Sequence, residues 1–211
     1  MSSLKSISPA VTWPFMLAMA VIVVASNFLV QFPVQVNLGD IQLAEILTWG
    51  AFTYPVAFLI TDLANRKFGP SNARLVVAAG FILAVVLSIW LATPRIAIAS
   101  GTAFLVAQML DVSIFDRLRN STWWRAPLIS SLLGSALDTV LFFGLAFAPA
   151  FGMLDFGGED GSLGFAVPFL SVGAEVPLWI SLAAGDFIVK ILVGLAMLLP
   201  YGMVARRTAV A

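Results

Sequence analysis

The chain has 211 residues, of which 61% are hydrophobic and only 10% charged, with a mean hydropathy of +1.02. Soluble domains carry about 25% charged residues, so the composition excludes a soluble globular protein and implies one integral membrane domain over 1–211. The chain holds no Cys and no His, which removes disulfides, thiolate metal sites, a cysteine nucleophile and the usual neutral-pH base. Its 11 basic and 11 acidic side chains cancel, so only their placement is informative.

Met1–Ala10 is polar, with Lys5 as its charged side chain. Val11–Val30 is apolar for about 20 residues, enough to cross a hydrocarbon core of about 30 Å as a helix. A cleaved signal peptide is the alternative, but its apolar region would run for only about 7–15 residues. Ser26, Asn27 and Gln31 place hydrogen-bonding groups near one membrane face. Pro33–Glu45 follows as a polar connection with Asp40 and Glu45. The second span, 46–61, is short and opens with Thr48-Trp49-Gly50. Pro55 inside it removes a backbone hydrogen bond. Such interrupted spans point to binding sites in transporters, although a kinked helix without a ligand explains them equally. The chain is then expected to leave the membrane through Thr61-Asp62 and a basic turn, Asn65-Arg66-Lys67-Phe68-Gly69-Pro70.

The third span, 75–92, reads as scaffold. Thr93-Pro94-Arg95 forms a tight turn into the fourth, 96–115, where Gln108, Asp111 and Phe115 share one helix face. A second basic connection holds Asp116, Arg117, Arg119 and Arg125, with Trp123-Trp124 suited to the interface. The fifth span, 126–151, carries Ser130, Ser131, Gly134 and Ser135, small residues that let helices approach closely. Asp138 falls near the bilayer midplane, where a charge costs at least ~2.5–3.5 kcal/mol and so faces a cavity or a partner. Gly152–Val176 is Gly-rich and acidic, with Asp155, Glu159, Asp160 and Glu175. Its apolar part, Leu163–Val172, is too short to span and is read as interfacial or re-entrant. The sixth span, 177–199, holds Asp186 and Lys190 one turn apart, the spacing of an intrahelical ion pair. The fold class is therefore all-α, with six transmembrane helices. Lys and Arg concentrate after the second and fourth spans and in the tail, so both termini are placed in the cytoplasm.

Three intramembrane charges stand out: Asp138, Asp186 and Lys190. A self-neutralising Asp186–Lys190 pair is the bland reading of the last two. Asp62, Asp111 and Asp116 lie nearer the cytoplasmic end, where pairing with Arg66, Arg117 or Arg119 would account for them. No zinc site, Gly-x-Ser-x-Gly elbow or phosphate loop occurs, so an enzyme is not expected. A paired-aspartate intramembrane protease, an assembly protein and a binding subunit energised by a separate partner are the rival readings.

Several segments together closely resemble the queuosine precursor transporter family of the bacterial inner membrane. They are Ser26-Asn27-Phe28-Leu29-Val30-Gln31, Thr48-Trp49-Gly50-Ala51-Phe52 through Thr61-Asp62-Leu63, Gln108-Met109-Leu110-Asp111-Val112, Trp123-Trp124-Arg125-Ala126-Pro127 and Leu137-Asp138-Thr139. The chain departs from the family at the Thr93-Pro94 turn, which is shorter, in Gly152–Val176, which is longer, and at Ser135, where a carboxamide is expected. The resemblance implies import of 7-cyano-7-deazaguanine or its aminomethyl relative, with the bilayer and this small molecule as partners. It implies neither a cofactor, a metal nor a nucleic acid, and leaves a homo-oligomer open. A carboxylate can accept the N–H and amine of a guanine-like edge in bidentate fashion, and Asp138, flanked by Gly134, Ser135 and Ala136, is assigned that task, with Asp186 as its substitute. Gln108, Asn27 or Lys190 would donate to the carbonyl, and Phe52, Trp49 or Tyr54 would stack on the ring.

Overall fold

Apolar runs long enough to cross a bilayer become helices because a backbone polar group left unpaired in hydrocarbon costs several kcal/mol. The computed structural model describes residues 9–39, 41–156 and 163–208. Lys5, Asp40, Glu159, Asp160 and the side chains of Arg206 and Arg207 lie outside the described residues. In order come α1 (Pro9–Leu29), a small hairpin of β1 (Asn37–Leu38) and β2 (Ile41–Gln42), α2 (Gly50–Thr53), α3 (Val56–Phe68), α4 (Pro70–Leu91), α5 (Pro94–Leu118) and α6 (Arg125–Phe147). A second hairpin, β3 (Ala166–Pro168) with β4 (Glu175–Pro177), precedes α7 (Leu178–Thr208). The architecture is a helical membrane bundle, and among the described residues five helices, α1, α4, α5, α6 and α7, are long and apolar enough to cross a membrane.

The boundaries follow from local chemistry. Pro70 and Pro94 occupy the first turns of α4 and α5, where a missing N–H costs nothing. Thr93 caps α5 by accepting the Ile96 N–H at 3.4 Å. The second span differs from its expected course. Thr61 to Phe68 continue as helix instead of forming an exit turn, because Gly69 (φ 88°) is the first residue free to adopt a terminating conformation. Asp62 is thereby carried into the bundle and fully buried. Pro55 splits this span into α2 and α3, and α3 carries Asp62, Arg66 and Lys67, so it lacks the continuous apolar character of the other five. The expected fifth span ends early, since Pro149 opens a 3₁₀ turn over Pro149–Leu154. The segment read as interfacial or re-entrant, 163–172, builds part of the β3–β4 hairpin, with a tight turn at Leu170 and Ser171 (φ 52° and 68°).

Side-chain contacts order the bundle. Phe15 of α1 meets Phe68 of α3 edge-on at 5.5 Å, while Ser26 of α1 bonds Thr53 of α2 at 2.9 Å, so the two segments run antiparallel. Thr61–Gln108 and Asn65–Val112 align α3 with α5. Tyr54–Asp138 and Asp62–Ser130 set α6 antiparallel against the α2–α3 span. Arg66 donates to Tyr201 Oη at 2.9 Å, so the end of α7 lies beside the end of α3. Successive segments therefore alternate in direction, and the start of α1 and the end of α7 share one end of the bundle with Arg66, Arg119 and Arg125. The opposite end holds both hairpins and Arg95. Arg95 is buried there, bonded to Asp155 at 2.7 Å and to the Leu145 and Ala148 carbonyls.

Close approach depends on small residues, as the sequence suggests. A Cβ on Gly134 would stand 2.7 Å from the Phe58 ring and 3.4 Å from the Ala107 carbonyl oxygen. The room beside Gly134 is thus filled by Phe58.

Candidate functional site

At the hairpin end a cavity of about 810 Å³ descends among α1, α2, the α4–α5 turn, α6 and α7. Ligand sites of about 300–1,000 Å³, mostly apolar with a few placed polar groups, are the usual scale for small molecules. Its walls include Asn27 and Gln31 from α1, and Phe104, Phe142, Phe143 and Phe147. Its floor contains Tyr54, Asp138, Asp186 and Lys190.

Two helix registers and one helix break assemble that floor. Asp186 and Lys190 are one turn apart on α7 and form the expected ion pair, at 2.5 Å. The antiparallel α6 brings Asp138 to the same ammonium at 2.7 Å. Thr139, the next residue, accepts from Lys190 at 3.2 Å and donates to Asp186 Oδ2 at 3.0 Å. All three Lys190 protons therefore have partners, the full donor capacity of an ammonium. Tyr54 arrives from the α2–α3 break, where Pro55 offers no N–H, and its hydroxyl donates to Asp138 Oδ1 at 3.2 Å. The Lys190 ammonium also lies 5.4 Å from the Tyr54 ring centroid. With two carboxylates on one ammonium, the group carries a formal charge of −1. Both Asp138 oxygens are engaged and its side chain is 5% exposed; the Asp186 side chain is 14% exposed and its bonds to Lys190 and Thr139 fall on Oδ2 alone.

Of the residues singled out from the sequence, Asp138, Asp186, Lys190 and Tyr54 come together on the floor, and Asn27 lines the wall with its amide donating to the Val23 carbonyl at 2.9 Å. Gln108 does not reach the cavity. It sits one turn beneath Phe104, fully buried, and accepts from Thr61 at 2.7 Å. Trp49 and Phe52 also lie off the cavity; Trp49 is 46% exposed and tilts against Phe52 at 5.6 Å. The aromatic walls come instead from α5 and α6. Sequence reasoning missed these phenylalanines, although Phe142 lies one turn from Asp138 on the same helix face, a spacing that could have marked it.

The expected pairing of the cytoplasmic-end aspartates holds for Asp116, which meets Arg119 at 3.2 Å. It fails for Asp62 and Asp111. Arg66 is committed to Tyr201 Oη and, at 2.6 Å, to the Arg119 carbonyl. Arg119 also donates to the Asn65 carbonyl. Among the described residues no cluster of three or more ligating side chains suited to a metal ion forms.

Comparison with known proteins places this geometry in context. The family model described as "Putative vitamin uptake transporter" matches residues 48–93 and 88–204. A Haemophilus influenzae protein named "Probable queuosine precursor transporter" is 33% identical over 211 aligned residues, covering 87% of this chain and 81% of its own length. The Escherichia coli K12 "Queuosine precursor transporter" is 33% identical over 204, covering 86% of this chain and 80% of its own. A Bacillus subtilis 168 protein, also named "Probable queuosine precursor transporter", is 27% identical over 143, covering 53% and 62%. No solved structure matches.

Proposed function

The chain belongs to the vitamin uptake transporter family whose model it matches, and from that premise we propose that it imports a queuosine precursor, a 7-deazaguanine, across the bacterial inner membrane. The observation that carries this reading is the Asp138–Lys190–Asp186 group beneath an aromatic-walled cavity of about 810 Å³. A guanine-like base needs an acceptor for its ring N–H and exocyclic amine, a donor for its carbonyl, and apolar faces for its ring. Asp186 offers the acceptor, because Oδ1 is clear of the bonds that hold Oδ2. Lys190 supplies the donor by exchanging its Thr139 bond for the base carbonyl. Phe104 and Phe143 flank the ring. The role assigned to Asp138 from sequence passes to Asp186, since Lys190 and Tyr54 already occupy both Asp138 oxygens, and Asp138 acts as the anchor of the lysine.

Six crossings, with α2 and α3 together as the second, fit the alternation of helix direction. Arg66, Lys67, Arg74, Arg117, Arg119 and Arg125 gather at the end where α1 begins and α7 finishes, with Arg95 at the other, and the positive-inside rule supports a cytoplasmic side for that end. The cavity then opens to the periplasm, and the floor closes the path inward.

Binding of tritiated 7-cyano-7-deazaguanine to the purified protein, and its uptake into liposomes containing that protein alone, test the proposal. Saturable binding and uptake are expected. An absence of binding in correctly folded protein overturns the reading, and binding without uptake by the chain alone overturns its self-sufficiency as a carrier.

A further inference from the structure

Beneath the cavity floor, toward the arginine-rich end, α3, α5 and α6 enclose a second group of carboxylates. Asp62 and Asp111 are both 0% exposed and lie close enough for each carboxyl to feel the other. Asp62 accepts from Ser130 at 3.2 Å and Ser131 at 3.3 Å. Neither oxygen of Asp111 receives a donor. Beside them, Asn65 Oδ1 and Gln108 Nε2 are likewise buried without partners, although Asn65 Nδ2 and Gln108 Oε1 are fixed by Val112 and Thr61.

The surrounding charges do not neutralise the pair. Arg66 of α3 and Arg119 beyond α5 are engaged with Tyr201 of α7, Asp116 and backbone carbonyls. Arg125 of α6 lies exposed beside Trp124 and Arg74 of α4 is exposed, and the described part of α1 carries no charged side chain. Ionising both carboxyls here would strip two anions of solvent and set them against one another in a medium that screens them poorly. One proton between them turns two repelling acceptors into a donor and an acceptor, and gives Asp111 the bond it lacks. A crevice of about 220 Å³ between α3, α6 and α7 is lined at once by Asp62 and by Lys190 of the floor, so the two groups border one space.

We propose that Asp62 and Asp111 form a proton-binding site that couples import to the transmembrane proton gradient. The pair takes up one proton while the cavity faces the periplasm. It gives that proton to water when the bundle opens at the Arg66–Arg119 end.

The inference rests on the import reading above, so its test has one arm that uses substrate and one that does not. In liposomes containing the full chain, an outside one pH unit more acid than the lumen drives about tenfold accumulation of 7-cyano-7-deazaguanine per coupled proton. Asp111→Asn and Asp62→Asn keep binding and counterflow exchange but lose that accumulation. Accumulation driven by a sodium gradient and indifferent to pH overturns the proposal, as does undiminished proton-driven accumulation in both variants. The second arm is infrared spectroscopy of the substrate-free protein carrying ¹³C-labelled aspartate. The wild type shows a protonated carboxyl band, and the folded double variant Asp62→Asn with Asp111→Asn loses it. A wild type without such a band overturns the proton site with no variant involved, whereas failure of the base to bind, with the band present, counts against the import reading alone.

Discussion

Replacing Lys190 with glutamine strips the ammonium from between Asp138 and Asp186 while nearly preserving side-chain volume. Three charge-assisted contacts disappear at once, to Asp138 at 2.7 Å, to Asp186 at 2.5 Å and to Thr139 at 3.2 Å. Removing one partner of a buried ion pair costs about 3–5 kcal/mol, and here two anions are left, relieved only by the hydroxyls of Tyr54 and Thr139. At roughly 2–4 °C per kcal/mol for a chain of this size, Lys190→Gln should lower the unfolding midpoint by about 6–20 °C. Asp186→Asn should lower it far less, because Lys190 keeps Asp138. The double change Asp186→Asn with Lys190→Gln separates a pair from a trio. An isolated intrahelical pair would be fully restored by it, whereas here Asp138 stays uncompensated and only part of the lost stability returns. Adding Asp138→Asn should recover most of the remainder. Tryptophan fluorescence of the purified variants, heated in one detergent, reads all four midpoints. Full recovery in the double variant, or a Lys190→Gln midpoint no lower than that of Asp186→Asn, would refute the shared-lysine account.

Three further outcomes follow from the same geometry. Asp186→Asn should fold normally yet bind 7-cyano-7-deazaguanine about 10–150-fold more weakly, the equivalent of a charge-assisted bond of about 1.5–3 kcal/mol; equilibrium binding with near-wild-type affinity would move the base-reading role elsewhere. Reporter fusions after Gly69 and Asn120 should read cytoplasmic and one at Gly152 periplasmic, and a periplasmic signal at Asn120 would break the six-crossing arrangement. Gly134→Ala should destabilise by about 1–3 kcal/mol, as overpacking does, since its Cβ meets Phe58 at 2.7 Å; Gly144→Ala meets nothing within 4 Å and should be neutral or slightly stabilising in the same melting assay.

The positions of the apolar helices were legible because hydrocarbon enforces about 20 apolar residues per crossing. Helix ends were less so, since they are set by single residues with special backbone needs, such as Gly69 at φ 88°. That one glycine decides whether Asp62 sits in a solvated turn or inside the bundle. The Asp186–Lys190 contact could be read from its four-residue spacing, but no local pattern announces that Asp138, some 50 residues earlier, reaches the same ammonium. The aromatic walls were hidden for a different reason. Phe142, Phe143 and Phe147 look the same in sequence whether they face lipid or a cavity, and only the placement of α1 and α7 tells which. Gln108 and Trp49 illustrate the converse, being polar or amphipathic groups near the right depth that lie just off the cavity.

The division of labour between the two carboxylate groups follows from where cations are available. On the floor, Lys190 spends every proton on protein acceptors, an arrangement that suits the recognition role proposed for the trio. The contacts it makes hold α6 to α7, so its part in a transport cycle is to keep that joint closed around the ligand. The Asp62–Asp111 pair has the opposite character. Among the described residues no cationic side chain pairs with it, the nearby arginines are tied to backbone carbonyls, Tyr201 and Asp116, and one of its members lacks any donor. Adding or removing a proton there alters the interaction of α3 with α5 directly, while the crevice shared by Asp62 and Lys190 lets the same motion of α7 disturb both groups. Recognition by the trio and energy input at the pair can therefore be separate in space and still linked through the position of one helix.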